Sequence, residues 1–313
     1  MSVAVRVRSR SMGLIVVLAG TAALLAVAAV VQRDEGPDSL TWLGAVGLGM
    51  VEGLTEYLPV SSTGHLLVSG RILGLGGTES QDQALDTYAI CIQLGAIAAV
   101  LVLYRQRVAQ LFRGLTGSDA DGRRILIAMV AAFTPTVILA LSLQDVVRDR
   151  LFGPGPIAVA WVVGGVLILA VPSARQARDG SIELPGLDAR RAAMIGLAQA
   201  VALWPGTSRS LVTIVAALAV GLSLRAAVEF SFLLGLVTLG AATVYEGAQN
   251  GGELIDTFGV VTPLLGLVVA FVSAVAAVRW MVSYLEDRGL ELFGWYRIAI
   301  GVATFGAMGI GWL

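Results

Sequence analysis

Apolar residues run along this chain in blocks too long for the interior of a soluble protein. Residues 12–31 form one unbroken block, and others lie near 86–104, 124–144, 156–172, 226–246, 258–282 and 293–313. Each approaches the ~20 residues that carry a helix across a bilayer. Two further apolar stretches are broken in the middle by polar residues. The first, 40–75, breaks at Pro59-Val-Ser-Ser-Thr-Gly-His65, and the second, 190–222, breaks at Pro205-Gly-Thr-Ser-Arg-Ser210. The pattern predicts an all-α polytopic membrane protein with about six core spanning helices, one extra N-terminal helix and two interrupted helical hairpins. Residues 1–39 read as an N-terminal extension with one transmembrane helix, its length favouring a retained span over a signal peptide. Residues 40–313 read as the membrane-embedded domain, with halves at roughly 40–172 and 190–313.

Charge orients this map. With the N-terminus inside and each broken stretch returning to its own side, the inside segments are 1–11, 105–124, 173–191 and 279–291. They carry fourteen of the 21 arginines, against Arg33, Arg148 and Arg150 outside. That asymmetry follows the positive-inside rule, and it sets the C-terminus outside. It does not distinguish a shallow hairpin from two full crossings, since both return to the same side.

Composition then removes several function classes. Of 313 residues 57% are hydrophobic, 14% are charged and mean hydropathy is +0.83. Soluble domains carry about 25% charged residues, so a soluble, disordered or disulfide-framed protein is excluded. Every basic residue is Arg, and the net charge of −1 points to no nucleic-acid partner. Cys91 is the sole cysteine, which rules out an intrachain disulfide and a four-cysteine zinc site. Any imidazole chemistry must use His65, the sole histidine.

The two breaks hold the candidate chemistry. Glu52 and Glu56 lie four apart, on one helix face. Carboxylates inside an apolar segment are costly and mark functional sites. They could hold a divalent cation through oxygen, or one could serve as a base. Ser61, Ser62 and Thr63 stand where a helix starts, a natural anion site. His65, three residues after Ser62, is expected to reach its hydroxyl as the base of an activated nucleophile, itself oriented by a glutamate. In the second break Thr207, Ser208 and Ser210 flank Arg209, whose guanidinium suits a phosphate or an ion pair with Glu52 or Glu56. Aligning Pro59 with Pro205 sets Ser62 against Ser208, and each turn follows a run with a polar side chain, Glu52 or Gln199. Inverted-topology repeats with broken helices are a known plan for intramembrane sites. Gln93 is expected to bond the hairpin. Tyr88, Trp161, Trp204 and Trp295 are expected in the interfacial belt, and Glu229 and Arg297 at snorkelling or paired helix ends.

Glu52-Gly-Leu-Thr-Glu-Tyr-Leu-Pro-Val-Ser-Ser-Thr-Gly-His65 closely resembles the first signature of the undecaprenyl pyrophosphate phosphatases, also called bacitracin-resistance proteins. Pro205-Gly-Thr-Ser-Arg-Ser210 with Thr213 is similar to the second, and Ile92–Gly95, Phe230–Leu234 and Tyr296–Ile298 resemble further segments. The resemblance covers roughly residues 40–313. It implies inverted repeats with two re-entrant hairpins in the cytoplasmic (inner) membrane. The implied activity removes the terminal phosphate of undecaprenyl pyrophosphate, at a site facing the outer side, with a divalent cation (Mg2+ or Ca2+). Its catalytic residues would be Ser62, His65, Glu56 and Glu52, with Glu52 and Glu56 also on the metal, and the sequence does not choose between Ser62 and His65 as the nucleophile. Arg209, Ser208, Thr63, Ser61, Thr207 and Ser210 would bind phosphate. The expected partners are the polyprenyl pyrophosphate lipid and bilayer lipids, and a homodimer is among the assemblies the sequence leaves open. The alternative of another class is a transporter that flips undecaprenyl phosphate.

Overall fold

The computed structural model describes residues 40–75, 79–170, 182–258, 260–311 and 313. The N-terminal extension with its expected helix at 12–31 lies outside the described residues. The described chain is helical: α1 (Trp42–Thr55), α2 (Ser62–Ile72), α3 (Glu79–Leu103), α4 (Arg105–Leu115), α5 (Ala120–Leu151), α6 (Pro154–Ala170), α7 (Ala189–Gln199), α8 (Arg209–Ala219), α9 (Leu224–Phe258), α10 (Val261–Asp287) and α11 (Glu291–Gly309). One isolated bridge, Ile182 to Leu222, stands in place of any sheet among the described residues.

Four stretches are long and apolar enough to cross a bilayer: Leu85–Leu103 in α3, Ala120–Leu143 in α5, Leu224–Gln249 in α9 and Val261–Leu285 in α10. The chain is thus a polytopic membrane protein. The remaining two expected spans, α6 and α11, pack on each other. The first has only 17 residues, and the second carries Glu291 and Arg297. Side chains such as Val130, Leu141 and Val272 are exposed on the spans, the outward apolar face that lipid requires.

Glycine lets these helices meet closely, because packing rather than the hydrophobic effect drives association in lipid. α1 lies on α10, where a Cβ at Gly49 would come within 3.1 Å of the Gly266 backbone. α7 lies on α5 in the same way, where a Cβ at Gly196 would come within 2.8 Å of the Ala132 backbone. Asp119 and Asp188 cap α5 and α7 by accepting from Gly122 and Arg191 backbone N–H groups, which hold both carboxyls below their usual range.

The two helix–break–helix elements, α1–α2 and α7–α8, match in backbone detail. The residue before α2 is Ser61, at φ 73° and ψ 101°, and the residue before α8 is Ser208, at φ 75° and ψ 109°. This corrects the expected register, in which Ser62 faced Ser208. The second break has one more residue between its proline and its cap, so aligning the prolines slips the pairing by one. In the observed register Glu52 pairs with Gln199, Gly49 with Gly196, Pro59 with Gly206 and Ser62 with Arg209.

Candidate active site

Pro59 has no N–H and interrupts the α1 ladder, leaving irregular backbone deep in the protein. Such backbone is tolerated at membrane depth only if its polar groups find partners. Each carbonyl from Leu58 to Ser61 receives a side-chain donor: Ser210 Oγ to Leu58 at 2.9 Å, Arg297 Nη1 to Pro59 at 3.3 Å, Trp161 Nε1 to Val60 at 2.8 Å and His65 Nδ1 to Ser61 at 2.6 Å. Gly64 lets α2 approach Trp161, whose ring would lie within 3.0 Å of a Cβ there. The left-handed backbone of Ser61 and Ser208 costs about 1–3 kcal/mol each, a strain that persists only where the surroundings impose it.

Glu56 joins the two turns. Its Oε2 accepts from the Ser62 hydroxyl, and its Oε1 accepts from Arg209 Nη2 at 3.0 Å. Ser62 and Arg209 are the first residues of α2 and α8, so both stand at the positive ends of helices. Arg209 Nη1 donates to Ser231 O at 3.0 Å, and its guanidinium lies 5.5 Å above the Tyr57 ring. Gly235 makes room for it, since a Cβ there would come 2.7 Å from Nη2. Thr213 and Ser231 share a hydroxyl–hydroxyl bond of 2.6 Å beneath this contact.

The expected Ser62–His65 pair does not form. His65 Nδ1 donates to Ser61 O, so a neutral ring leaves Nε2 to accept from Tyr296 O–H at 2.8 Å. The ring stacks on Tyr296 and meets Trp161 edge-on. Among the described residues no glutamate bonds to either ring nitrogen. Spacing alone allowed the serine contact, but the carbonyl and the phenol hold both nitrogens. The group within reach of the Ser62 proton is Glu56.

The other expected site residues divide by burial. Thr63 is exposed beside Ser62, and Thr207 is half-buried. The Ser208 hydroxyl accepts from Leu211 N–H at 3.3 Å and lies 3.0 Å from that of Ser210, which is itself fully buried and ties Leu58 to the second turn. These two hydroxyls stitch the turns together. Several further expectations are corrected. Arg297 is fully buried rather than at a helix end, and Tyr88 and Trp161 are fully buried rather than interfacial. Trp204 is half-buried and donates to Pro156 O at 3.2 Å, whereas Trp295 is exposed as expected. Gln93 accepts from Thr243 on α9 rather than bonding the hairpin, whereas Glu229 pairs with Arg107 at 2.7 Å as expected. Sequence reasoning missed Tyr57, Ser231 and Gly235 as neighbours of Arg209. The one signal for Ser231 was its place in the Phe230–Leu234 segment.

Two carboxylates against one guanidinium leave the cluster formally negative. Glu52 is buried, and its Oε1 has no hydrogen-bond partner. A buried carboxylate oxygen without a donor is costly, and it fits a hard cation that takes oxygen ligands. Among the described residues no group of three or more His, Cys, Asp or Glu could hold a metal by itself.

The family model of Bacitracin resistance protein BacA matches residues 45–303. The Undecaprenyl-diphosphatase of Sorangium cellulosum is 46% identical over 263 residues, which is 83% of this chain and 84% of that protein. Undecaprenyl-diphosphatase 2 of Rhodospirillum rubrum is 41% identical over 271 residues, 85% of this chain and 95% of its own length. The Undecaprenyl-diphosphatase of Burkholderia mallei is 41% identical over 273 residues, 86% and 96% of the two chains.

Proposed function

Because this chain belongs to the Bacitracin resistance protein BacA family, we propose that it hydrolyses undecaprenyl diphosphate to undecaprenyl phosphate and inorganic phosphate. The product is the lipid carrier of cell-wall synthesis, and its recycling confers resistance to bacitracin. The observation that carries the reading is Glu56, which holds the Ser62 hydroxyl on one oxygen and the Arg209 guanidinium on the other.

The chemistry follows from that arrangement. Arg209 turns from Glu56 to the terminal phosphate and takes two of its oxygens. The α2 N-terminus and the Thr63 hydroxyl add donors to the same group. Ser62 Oγ attacks the terminal phosphorus while Glu56 takes its proton. The bond to the bridging oxygen breaks and undecaprenyl phosphate leaves. Glu56 hands its proton to the departing undecaprenyl phosphate; water then attacks the phosphoserine while Glu56 takes a water proton and passes it to Ser62 Oγ, so phosphate is released with Ser62 restored. Glu52 and Glu56 would hold a divalent cation, Mg2+ or Ca2+, with phosphate oxygens and water completing its ligands. Such a cation supplies the positive charge that the formally negative cluster lacks. His65 supports the attacking serine by holding the Ser61 carbonyl.

The family resemblance supports a head-group site on the outer side of the cytoplasmic membrane, with the prenyl chain in lipid between helices, in keeping with the arginine asymmetry of the loops. The matched helix breaks would also suit a carrier that flips undecaprenyl phosphate. A carrier has no use for a serine bonded to a carboxylate.

The test is phosphate release from undecaprenyl diphosphate by the purified protein in detergent, with and without divalent cation, beside Ser62→Ala and His65→Ala. Cation-dependent release that Ser62→Ala abolishes and His65→Ala weakens, with a phosphoenzyme trapped from wild type but not from Ser62→Ala, is the expected result. A folded wild-type protein that releases none, yet moves labelled undecaprenyl phosphate across vesicles, would put the carrier first.

A further inference from the structure

Arg297 has no part in the scheme above, yet its side chain is fully buried and its described hydrogen bonds all go to backbone carbonyls. Nη1 donates to Pro59 O at 3.3 Å, and Nη2 donates to Gly206 O and to Ala160 O, both at 2.9 Å. Pro59 and Gly206 are equivalent positions in the register set by Ser61 and Ser208. Each lies three residues before the working residue of its own turn, Ser62 or Arg209. One guanidinium therefore grips the same carbonyl in both turns. Gly164 on α6 leaves the space for it, since a Cβ there would come within 2.9 Å of Cζ and Nε.

We propose that Arg297 is a positioning residue for this phosphatase reaction, clasping the two turns so that Ser62 and Arg209 keep their separation through the catalytic cycle. The proposal rests on the phosphatase reading. Glu56 also links Ser62 to Arg209, but it must let go of both when it takes the serine proton and the guanidinium turns to phosphate. A link that survives that moment has to lie behind the turns and make no use of Glu56. Arg297 meets both conditions. It leans on carbonyls that do not change during the reaction, and the planar fork of arginine serves several acceptors at once where a lysine ammonium would not. Trp161 and His65 bind the neighbouring carbonyls of Val60 and Ser61, so the first turn is held along its length. The second turn is tied into the same frame through Gly206.

The experiment uses the full chain purified in detergent, with steady-state kinetics on undecaprenyl diphosphate and the thermal midpoint recorded for each protein. Wild type is measured first. No release by folded wild type would overturn the phosphatase reading itself, separately from the role of Arg297. Arg297→Lys keeps the charge but not the fork. In its folded fraction kcat is expected to fall about 10²-fold with KM changed by less than about threefold, as for a displacement of about 1 Å at the reacting groups. Gly164→Ala keeps the arginine but pushes its guanidinium, and the same split is expected. It also serves if Arg297→Lys does not fold. A wild-type kcat in the folded fraction of either variant, with only the thermal midpoint lowered, would reduce Arg297 to a structural part and overturn the proposal. Raised KM at unchanged kcat would overturn it too, because that pattern belongs to a group that binds substrate directly.

Discussion

At the residue scale, Glu56 bears most of the proposed chemistry. It is the acceptor for Ser62 and the counter-ion of Arg209, and removing its charge touches both. Glu56→Gln keeps the shape and one acceptor oxygen, so the fold should survive. Phosphate release should fall by about 10²–10⁴-fold, the usual worth of a general base, with kcat as the readout. Glu52 has a different task. If its unpartnered oxygen takes the cation, Glu52→Gln should raise the divalent concentration needed for half-maximal activity. A titration of Mg2+ or Ca2+ into chelator-treated protein reads this out, and an unshifted midpoint would take Glu52 off the metal. Gly235→Ala tests the seat of Arg209. Its Cβ would press on the guanidinium, and a displacement of about 1 Å predicts roughly a 10²-fold loss in kcat/KM at little cost in thermal midpoint.

These residues were legible to different degrees. Two carboxylates, a histidine and an arginine in apolar segments stand out by their cost alone. Arg297 stands out as a charge too, but its burial does not, because a sequence run at 293–313 does not say which of its residues meets the core. His65 was visible but its partner was not. Spacing along a helix names the neighbours within that helix, whereas Tyr296 arrives from 231 residues away.

At the element scale the two broken helices have one construction with two outcomes. Both have a left-handed serine before the second helix and a glycine pressed on a partner backbone before the break. The equivalent positions then diverge. Glu52 corresponds to Gln199, which donates to Thr136 at 3.0 Å, and Ser62 corresponds to Arg209. In the proposed scheme the first element supplies the nucleophile and the carboxylates, and the second supplies the guanidinium. Close packing at Gly196 is remote from this chemistry. Gly196→Ala forces a Cβ against the Ala132 backbone and should destabilise the protein by about 1–3 kcal/mol, as overpacking does. Thermal unfolding in detergent reads the loss, and kcat of the folded fraction should stay at the wild-type value.

At the scale of the whole molecule, the bilayer sets the problem the fold solves. Exposed Phe112 and Leu115 on α4, beside exposed Arg105 and Arg113, lie between the α3 and α5 spans. A short helix of that kind suits a membrane–water boundary. The arginine count predicts that this boundary lies on the cytoplasmic side. Cys91 is the single thiol, so a Cys91→Ser background is free of others. Ser118→Cys in that background, in the exposed turn after α4, should react with an impermeant maleimide only when the cytoplasmic face is open to it. Labelling from the outer face of intact cells would invert the map.

Span positions, helical class and the places of both breaks follow from the linear order of apolar and polar residues. Each is a local quantity: a run long enough for the bilayer, or a proline and hydroxyls that end it. The motif residues are local too, and so the family could be read from them. Which carboxylate meets which hydroxyl is not local. Glu56 rather than His65 takes the Ser62 hydrogen bond because four side chains, three of them from distant helices, bind the carbonyls of Leu58 to Ser61 and fix the turn between. The register of the two breaks is set by the backbone angles of their caps, Ser61 and Ser208, and not by their prolines. Arg297 gains its place only when α6 and α11 close on both turns. Pairing across helices depends on packing in three dimensions, and a one-dimensional pattern holds no record of it.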